Sequence, residues 1–236
     1  AVQWMLHAAD EVTAISQYLR DVAEEFGYKK TVGLIHNGVD LEMFRKTIDI
    51  AKYQRPTIIT ISRLVEKNAV DIFIRAIREL RNIIPDICGM IIGDGPERRR
   101  LDSLTNDLGM KDHIVFCGSI SNQEIPQYLA RAHIFARPSR SEGMGNAFVE
   151  ALAAGIPIIG TSIGGIRDII EDKKTGLFVE VDDPCDLAQK IRQLLDDKAL
   201  VQDMAERGRK MVEERFSWEK IALQYKKIFY QVLKNQ

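Results

Sequence analysis

The residues best placed to do chemistry lie between Ser139 and Pro157. Glu142 and Glu150 are separated by seven residues, within Ser139-Arg140-Ser141-Glu142-Gly143-Met144-Gly145-Asn146-Ala147-Phe148-Val149-Glu150. Glu142 sits in a glycine-rich turn, and Gly143 and Gly145 permit positive φ and close backbone approach. The apolar run from Ala147 reads as a helix whose start leaves unpaired N–H donors and the positive end of a dipole. Such a terminus suits anions and sugar oxygens. Glu150, one to two turns in among Phe148, Val149, Ala151 and Leu152, is out of place unless it has a partner. Alone, Glu142 reads as a helix-start acid and Glu150 as part of a solvated stripe. The whole string reads differently, as carboxylates and backbone donors aimed at one small polyhydroxylated ligand, such as a sugar carried on a nucleotide.

Other candidates follow apolar, strand-like runs. Arg63 comes just after Thr57–Ile61, in Ser62-Arg63-Leu64-Val65-Glu66-Lys67-Asn68-Ala69. A cation beyond a strand's carboxyl end neutralises a diphosphate bidentately; equally, Arg63 reads as a surface residue paired with Glu66. Gly93-Asp94-Gly95-Pro96 is an incomplete dinucleotide fingerprint, with Arg98 where a third glycine belongs, and reads as a tight turn on the same edge. Asn37-Gly38 is turn chemistry, and His36 before it reads as a hydrogen-bonded structural residue. Gly164-Gly165 is an ordinary loop or a point of close backbone approach.

The elements that must position these residues alternate. Short β-rich runs at 12–15, 31–35, 57–61, 88–92, 114–117, 134–136, 156–160 and 176–181 are separated by segments with helical periodicity. Several runs are continuous Ile/Val, as in strands covered on both faces. In 70–80 one apolar face is Val70, Phe73, Ile74, Ile77 and Leu80. The pattern predicts an α/β fold with an open, doubly wound, Rossmann-like parallel sheet. Residues 1–40 hold a helix end, a strand, the helix 17–26 and a strand, and read as the last piece of a preceding domain. Residues 41–55 read as a polar, irregular linker and 56–215 as the main domain. Helices are expected at 184–195, 198–214 and 218–233, the last of them in a terminal segment 216–236.

Composition excludes several classes. The 236 residues carry a net charge of −1, so no electrostatic footprint for nucleic acid is present. Arg98-Arg99-Arg100 reads as a solvated helix face, and the scattered cysteines Cys88, Cys117 and Cys185 as buried free thiols in a reducing compartment. No histidine makes a metal-ligand spacing, and no apolar run is long enough to span a membrane. The chain starts without methionine, which suggests a natural start further upstream.

Together, Asn37-Gly38-Val39-Asp40, Ser62-Arg63-Leu64, Gly93-Asp94-Gly95-Pro96, Pro138-Ser139, the Glu142…Glu150 pair, Gly155-Ile156-Pro157, Gly164-Gly165 and Phe216-Ser217-Trp218 resemble the C-terminal, donor-binding half of a retaining family-4 glycosyltransferase of the glycosyltransferase-B fold. The resemblance implies transfer of a sugar from a nucleotide-diphosphate donor to an acceptor hydroxyl. It gives Glu142 the donor sugar's hydroxyls, and Glu150 the ribose. The N–H groups of Gly143, Met144, Gly145 and Asn146 would hold sugar and phosphate oxygens. Arg63 with Lys67 would hold the diphosphate, and Asn68, Gly95 and Gly118 complete the donor-binding set. Charge stabilisation replaces a metal ion, so no metal or other cofactor is expected. The implied partners are a nucleotide sugar and a separate N-terminal acceptor domain. The implied setting is cytoplasmic, in cell-envelope polysaccharide synthesis, with peripheral contact at the inner membrane face through that acceptor domain. The last helix would cross back onto the acceptor half, and the fragment alone would transfer little. One departure stands out. Where the family has Lys-Gly, this chain has Asn68-Ala69, leaving Lys67 as an imperfect second cation. Two alternatives are a nucleotide-sugar epimerase of the same fold and a non-catalytic sugar-nucleotide-binding module; a Rossmann dehydrogenase is disfavoured by the incomplete Gly93 fingerprint.

Overall fold

The computed structural model describes residues 2–28, 30–47 and 50–234. Two parallel sheets are present among them. The small one pairs β1 (Thr13–Ala14) with β2 (Gly33–Leu34), bridged by α2 (Gln17–Glu25), which follows the N-terminal helix α1 (Val2–Ala8). The large one holds β3 (Thr57–Ile61), β4 (Cys88–Ile92), β5 (Ile114–Gly118), β6 (Ile134–Arg137), β7 (Ile158–Thr161) and β8 (Gly176–Val179). Its order is β5-β4-β3-β6-β7-β8, parallel throughout. The chain winds outward from β3 to β5, then returns to β6 on the other side. The order therefore reverses between β3 and β6, where open α/β sheets bind ligands.

Helices cover both faces, which is why β3, β4, β6 and β7 are buried runs without alternation. On one face α4 (Val70–Arg81) buries Val70, Phe73, Ile74, Ile77 and Leu80, the stripe its spacing predicts. With them pack α5 (Arg98–Asp107) and α8 (Pro184–Asp196). On the other face lie α6 (Ile125–Arg131), α7 (Asn146–Ala153) and α9 (Lys198–Arg215), with Leu129, Phe148, Val212 and Phe216 at the centre.

Some boundaries differ from the sequence reading. The first two strands shrink to two residues each, because only that much of each run meets a partner. The 41–55 segment is less irregular than its polarity suggests. Asp40 caps a short helix, α3 (Leu41–Arg45), which buries Phe44. Further on, Lys52 donates to the Ala132 carbonyl at 2.6 Å, and burial lowers its pKa to about 8. The cysteines are free as expected, but only Cys88 is buried and Cys185 is exposed. The final helix, α10 (Trp218–Lys234), buries only Ile221. It does reach back to the small sheet, since a Cβ on Gly33 would lie 3.4 Å from Ile228.

α7 carries Glu150 and is held by α9 at Gly208, where an added Cβ would lie 2.5 Å from Leu152 Cδ2. Leu152 is fully buried and cannot retreat. Gly208→Ala gains about 1 kcal/mol of helix propensity but overpacks this contact at about 1–3 kcal/mol. We expect a net loss of about 1 kcal/mol in urea denaturation, against the direction propensity alone would give.

Candidate functional site

The carboxyl edge of the large sheet at the β3–β6 switch opens into a cleft of about 490 Å³. Arg63 and Asp94, following β3 and β4, form one wall; Ser119 and Asn122 follow β5; Ala147 and Glu150 of α7 form the other. A larger cavity, about 640 Å³, lies at the opposite, N-terminal edge beside Tyr53, Thr57 and Cys88. None of the sequence-derived site residues reaches it, and parallel sheets bind at their carboxyl ends, so the smaller cleft is the candidate site.

Two loops build it. Gly93 has φ +125°, and a Cβ there would lie 1.9 Å from the Ser62 carbonyl oxygen. The loop after β4 thus rests on the loop after β3, and Leu64 N donates to Asp94 O at 2.9 Å. The glycines of Gly93-Asp94-Gly95 serve this crossing, as the tight-turn reading expects. Gly164 and Gly165 show the same device: their Cβ atoms would meet the carbonyl oxygens of Glu142 and Gly143 at 1.9 and 2.2 Å. That close backbone approach is to the chain itself.

Glu142 and Glu150 both face inward. Glu142 forms an ion pair with Arg137 Nη2 and accepts from Gly143 N–H at 3.0 Å; its side chain is 15% exposed. Gly143's N–H is therefore occupied. Glu150 lines the cleft, and burial raises its pKa against the opposing charge of Arg137. It is not on a solvated stripe. Gly145, at φ +89°, precedes α7, and no side chain caps that helix start. Met144 is buried, with its sulfur 3.3 Å from the Asn37 N–H, and Asn146 Oδ1 accepts from Asn37 Nδ2 at 3.1 Å. Gly118 has φ +70° and accepts from Gly93 N–H at 2.8 Å, one residue before Ser119 at the cleft.

Arg63 is exposed at the cleft and makes no ion pair among the described residues, so the Glu66 pairing is not formed. Lys67 is exposed, and its carbonyl accepts from Arg140 N–H at 2.7 Å. Asn68 is placed differently from a ligand-facing residue. It is 5% exposed, and its Nδ2 donates to the Arg63 carbonyl at 2.7 Å. Ala69 takes a left-handed φ of +50°, ahead of α4. A left-handed φ favours glycine, and Asn68-Ala69 here forms a loop staple onto Arg63.

Three residues went unnoticed in the sequence. Arg137 ends β6 and is 6% exposed, with its guanidinium 4.9 Å from the Phe148 ring centre. A basic residue closing an apolar strand beside a glutamate turn was the available signal. Arg140 Nη1 and Nη2 grip Asp71 at 3.2 and 3.1 Å, and its Nε reaches Asp182 at 2.6 Å. Asp168 accepts from Gln17 N–H at 2.7 Å and lies 3.3 Å from His36 Nε2, whose pKa burial lowers. His36 is thus the hydrogen-bonded structural histidine expected.

The sequence profile described as "Glycosyl transferases group 1" matches residues 45–211, more than half of the chain. The chain belongs to the glycosyl transferases group 1 family. It is 32% identical over 229 residues to a GDP-mannose-dependent alpha-(1-6)-phosphatidylinositol monomannoside mannosyltransferase of Mycobacterium tuberculosis, covering 90% of this chain and 60% of that protein. It is 30% identical over 243 residues to the N-acetyl-alpha-D-glucosaminyl L-malate synthase of Bacillus anthracis, covering 99% and 63%. Among solved structures, sucrose-phosphate synthase from Thermosynechococcus elongatus superposes with a TM-score of 0.88 at 25% identity, over 99% of this chain and 61% of that one. Anabaena HepE in complex with UDP gives 0.87 at 22% identity, over 98% and 66%. The chain thus spans about 60% of the curated relatives it matches. The fold is a Rossmann-like half of a glycosyltransferase-B arrangement.

For the staple, Asn68→Lys removes the bond to the Arg63 carbonyl and brings a charge to a buried position. We expect a loss of about 1–3 kcal/mol in chemical denaturation. Ala69→Gly relieves about 1–2 kcal/mol of left-handed strain. It also loses about 0.8 kcal/mol of buried methyl and gains about 0.4–1 kcal/mol of unfolded-chain freedom. Stability within about 0.5 kcal/mol of the natural chain is expected from that balance.

Proposed function

We propose that this chain binds a nucleotide-diphosphate sugar across the β3–β6 switch and serves as the donor domain of a retaining, metal-independent hexosyltransferase. The observation that carries the reading is the cleft itself, with Arg63 on one wall and Glu150 and the uncapped start of α7 on the other. A diphosphate needs cationic and N–H donors, and a ribose needs a carboxylate acceptor. Both sets converge on one volume.

Arg63 neutralises the diphosphate and, with Lys67, stabilises the charge that grows as it leaves. Glu150 accepts the ribose hydroxyls. Glu142, beside the start of α7, accepts donor-sugar hydroxyls and sets the sugar's orientation. The N–H groups of Met144, Gly145 and Asn146 take the remaining oxygens. Attack by the acceptor hydroxyl occurs on the face the phosphate leaves, and the departing phosphate accepts the hydroxyl proton, so the anomeric configuration is kept. No metal is needed where arginine and lysine supply the charge. The acceptor site belongs to a further Rossmann-like domain. The exposed apolar side chains Leu223, Phe229 and Leu233 of α10 suit contact with that domain. The chain alone then binds donor and transfers little. The lipid-linked acceptor in the mycobacterial relative's name supports peripheral contact with the inner membrane face through the acceptor domain. No helix of the described residues is long and apolar enough to cross a membrane.

Calorimetric titration with UDP, GDP and ADP, then their sugar conjugates, tests this. One nucleotide should bind with affinity unchanged by EDTA, and Glu150→Gln should weaken it by at least about tenfold, one charge-assisted hydrogen bond. Binding of none of the three, or binding that vanishes with EDTA, would overturn the proposal.

Glu150 also ties function to stability. Its folded pKa is raised, so its stabilising contribution is greatest below the unfolded value and is lost as pH rises through the folded one. At neutral pH the ionised, desolvated carboxylate costs stability. Glu150→Gln should therefore raise Tm at pH 7 by about 2–4 °C, on the order of 1 kcal/mol, while weakening nucleotide binding. The gain should shrink as pH falls well below the unfolded carboxyl's value, where the natural side chain is protonated in both states.

A further inference from the structure

We propose that Arg137 is a positioning residue for the donor site: its buried guanidinium fixes the orientation of Glu142 and supplies the counter-charge for Glu150. The proposal rests on the donor-binding reading above, and Arg137 lies outside the residue set that reading uses.

Geometry carries it. β6 pairs with β3 at Ile58↔Ile134 and Ile59↔Phe135, so Arg137 stands level with Ile61 at the switch point. Nη1 donates to the Ile61 carbonyl at 3.4 Å, the last strand residue before the Arg63 loop. Nη2 pairs with Glu142, and the guanidinium lies over the Phe148 ring of α7, the helix that carries Glu150. Gly145 leaves the space this needs, since a Cβ there would lie 3.1 Å from Nη2 and 2.8 Å from Phe148. One planar group thus touches the end of β3, the Glu142 turn and the α7 ring. Nε is buried without a hydrogen-bond partner.

A buried arginine with an unpaired nitrogen is costly unless its charge is used. Glu142 and Glu150 both act on it, and burial depresses its pKa against their pull. Around Glu150 the charged groups are Arg137 from β6 and, at the cleft, Arg63 and Asp94. Arg137 is the cation the protein buries against Glu142, and its charge opposes the cost of burying Glu150. A lysine there would keep the charge but not the planar fork.

Titration of Glu150 by carboxyl-carbon NMR, assigned with Glu150→Gln, reads the charge role without any ligand. In Arg137→Met the Glu150 midpoint should move to higher pH than in the natural chain. In Glu142→Gln, which frees Arg137 from its partner, it should move lower; this variant keeps the test alive should Arg137→Met not fold. Binding reads the orientation role. Arg137→Lys should lose about tenfold of the affinity that the sugar adds to the nucleotide, with affinity for nucleotide alone nearly unchanged. An unmoved Glu150 midpoint in the folded variants, or Arg137→Lys binding the nucleotide sugar like the natural chain, would overturn the proposal. Failure of the natural chain to bind any nucleotide sugar would sink the donor reading, and so the site role of Arg137, even if the NMR titration established the charge coupling.

Discussion

At the carboxyl edge of the large sheet, chain segments cross too closely for a Cβ. Gly93 and Gly95 lie over the carbonyls of Ser62 and Leu64; Gly164 and Gly165 lie over those of Glu142 and Gly143. The first crossing locks the loop after β4 to the loop bearing Arg63. The second locks the loop after β7 to the turn bearing Glu142. These are backbone contacts, so neither loop adjusts by changing a rotamer. The cleft between them is therefore largely preformed, which is what orientation of a flexible phosphorylated ligand demands.

Charge then joins the two crossings into one unit. Arg140 is bidentate to Asp71, donates to the Glu66 carbonyl at 2.7 Å, and bonds Asp182. Its own N–H donates to Lys67 O. The Arg63–Lys67 loop and the Glu142 turn are thus tied across the switch by one side chain. Its pKa is raised, chiefly by its hydrogen bonds to Asp71, so the arginine of this tie stays charged. Arg137 is the opposite case, since burial works against its charge while Glu142 and Glu150 favour it.

Much of this was legible in the residues. β3 and β4 fall where their unbroken apolar runs begin and end, because strands buried on both faces leave no polar alternation to blur the edge. The inward turn of Glu150 followed from the apolar helix around it. What the sequence hid was direction and long-range pairing. Asn68 stands where the family has a lysine, which says nothing of the side chain turning back onto Arg63 O. His36 and Asp168 meet across 132 residues of chain, and neither sits in a motif naming the other. Arg137 escaped because a strand-end arginine before a proline looks solvent-facing, and only the close packing of α7 against β6 encloses it.

The small sheet is not a bystander to this site. Ser16 caps α2 by accepting from Leu19 N–H, and Asp168 accepts from Gln17 N–H, so the helix start is fixed to the segment that follows Gly165. Asn37 then contacts both Met144 and Asn146. A displacement of β1 and β2 relative to the large sheet would therefore be felt at the residues flanking Gly145, where α7 begins. His36 packs edge-on against Phe216 at 5.1 Å, and burial favours its neutral form. Asp168 accepts from the Gln17 N–H and faces the His36 imidazole, an arrangement that binds by hydrogen bonds. Such a junction transmits position between the two sheets.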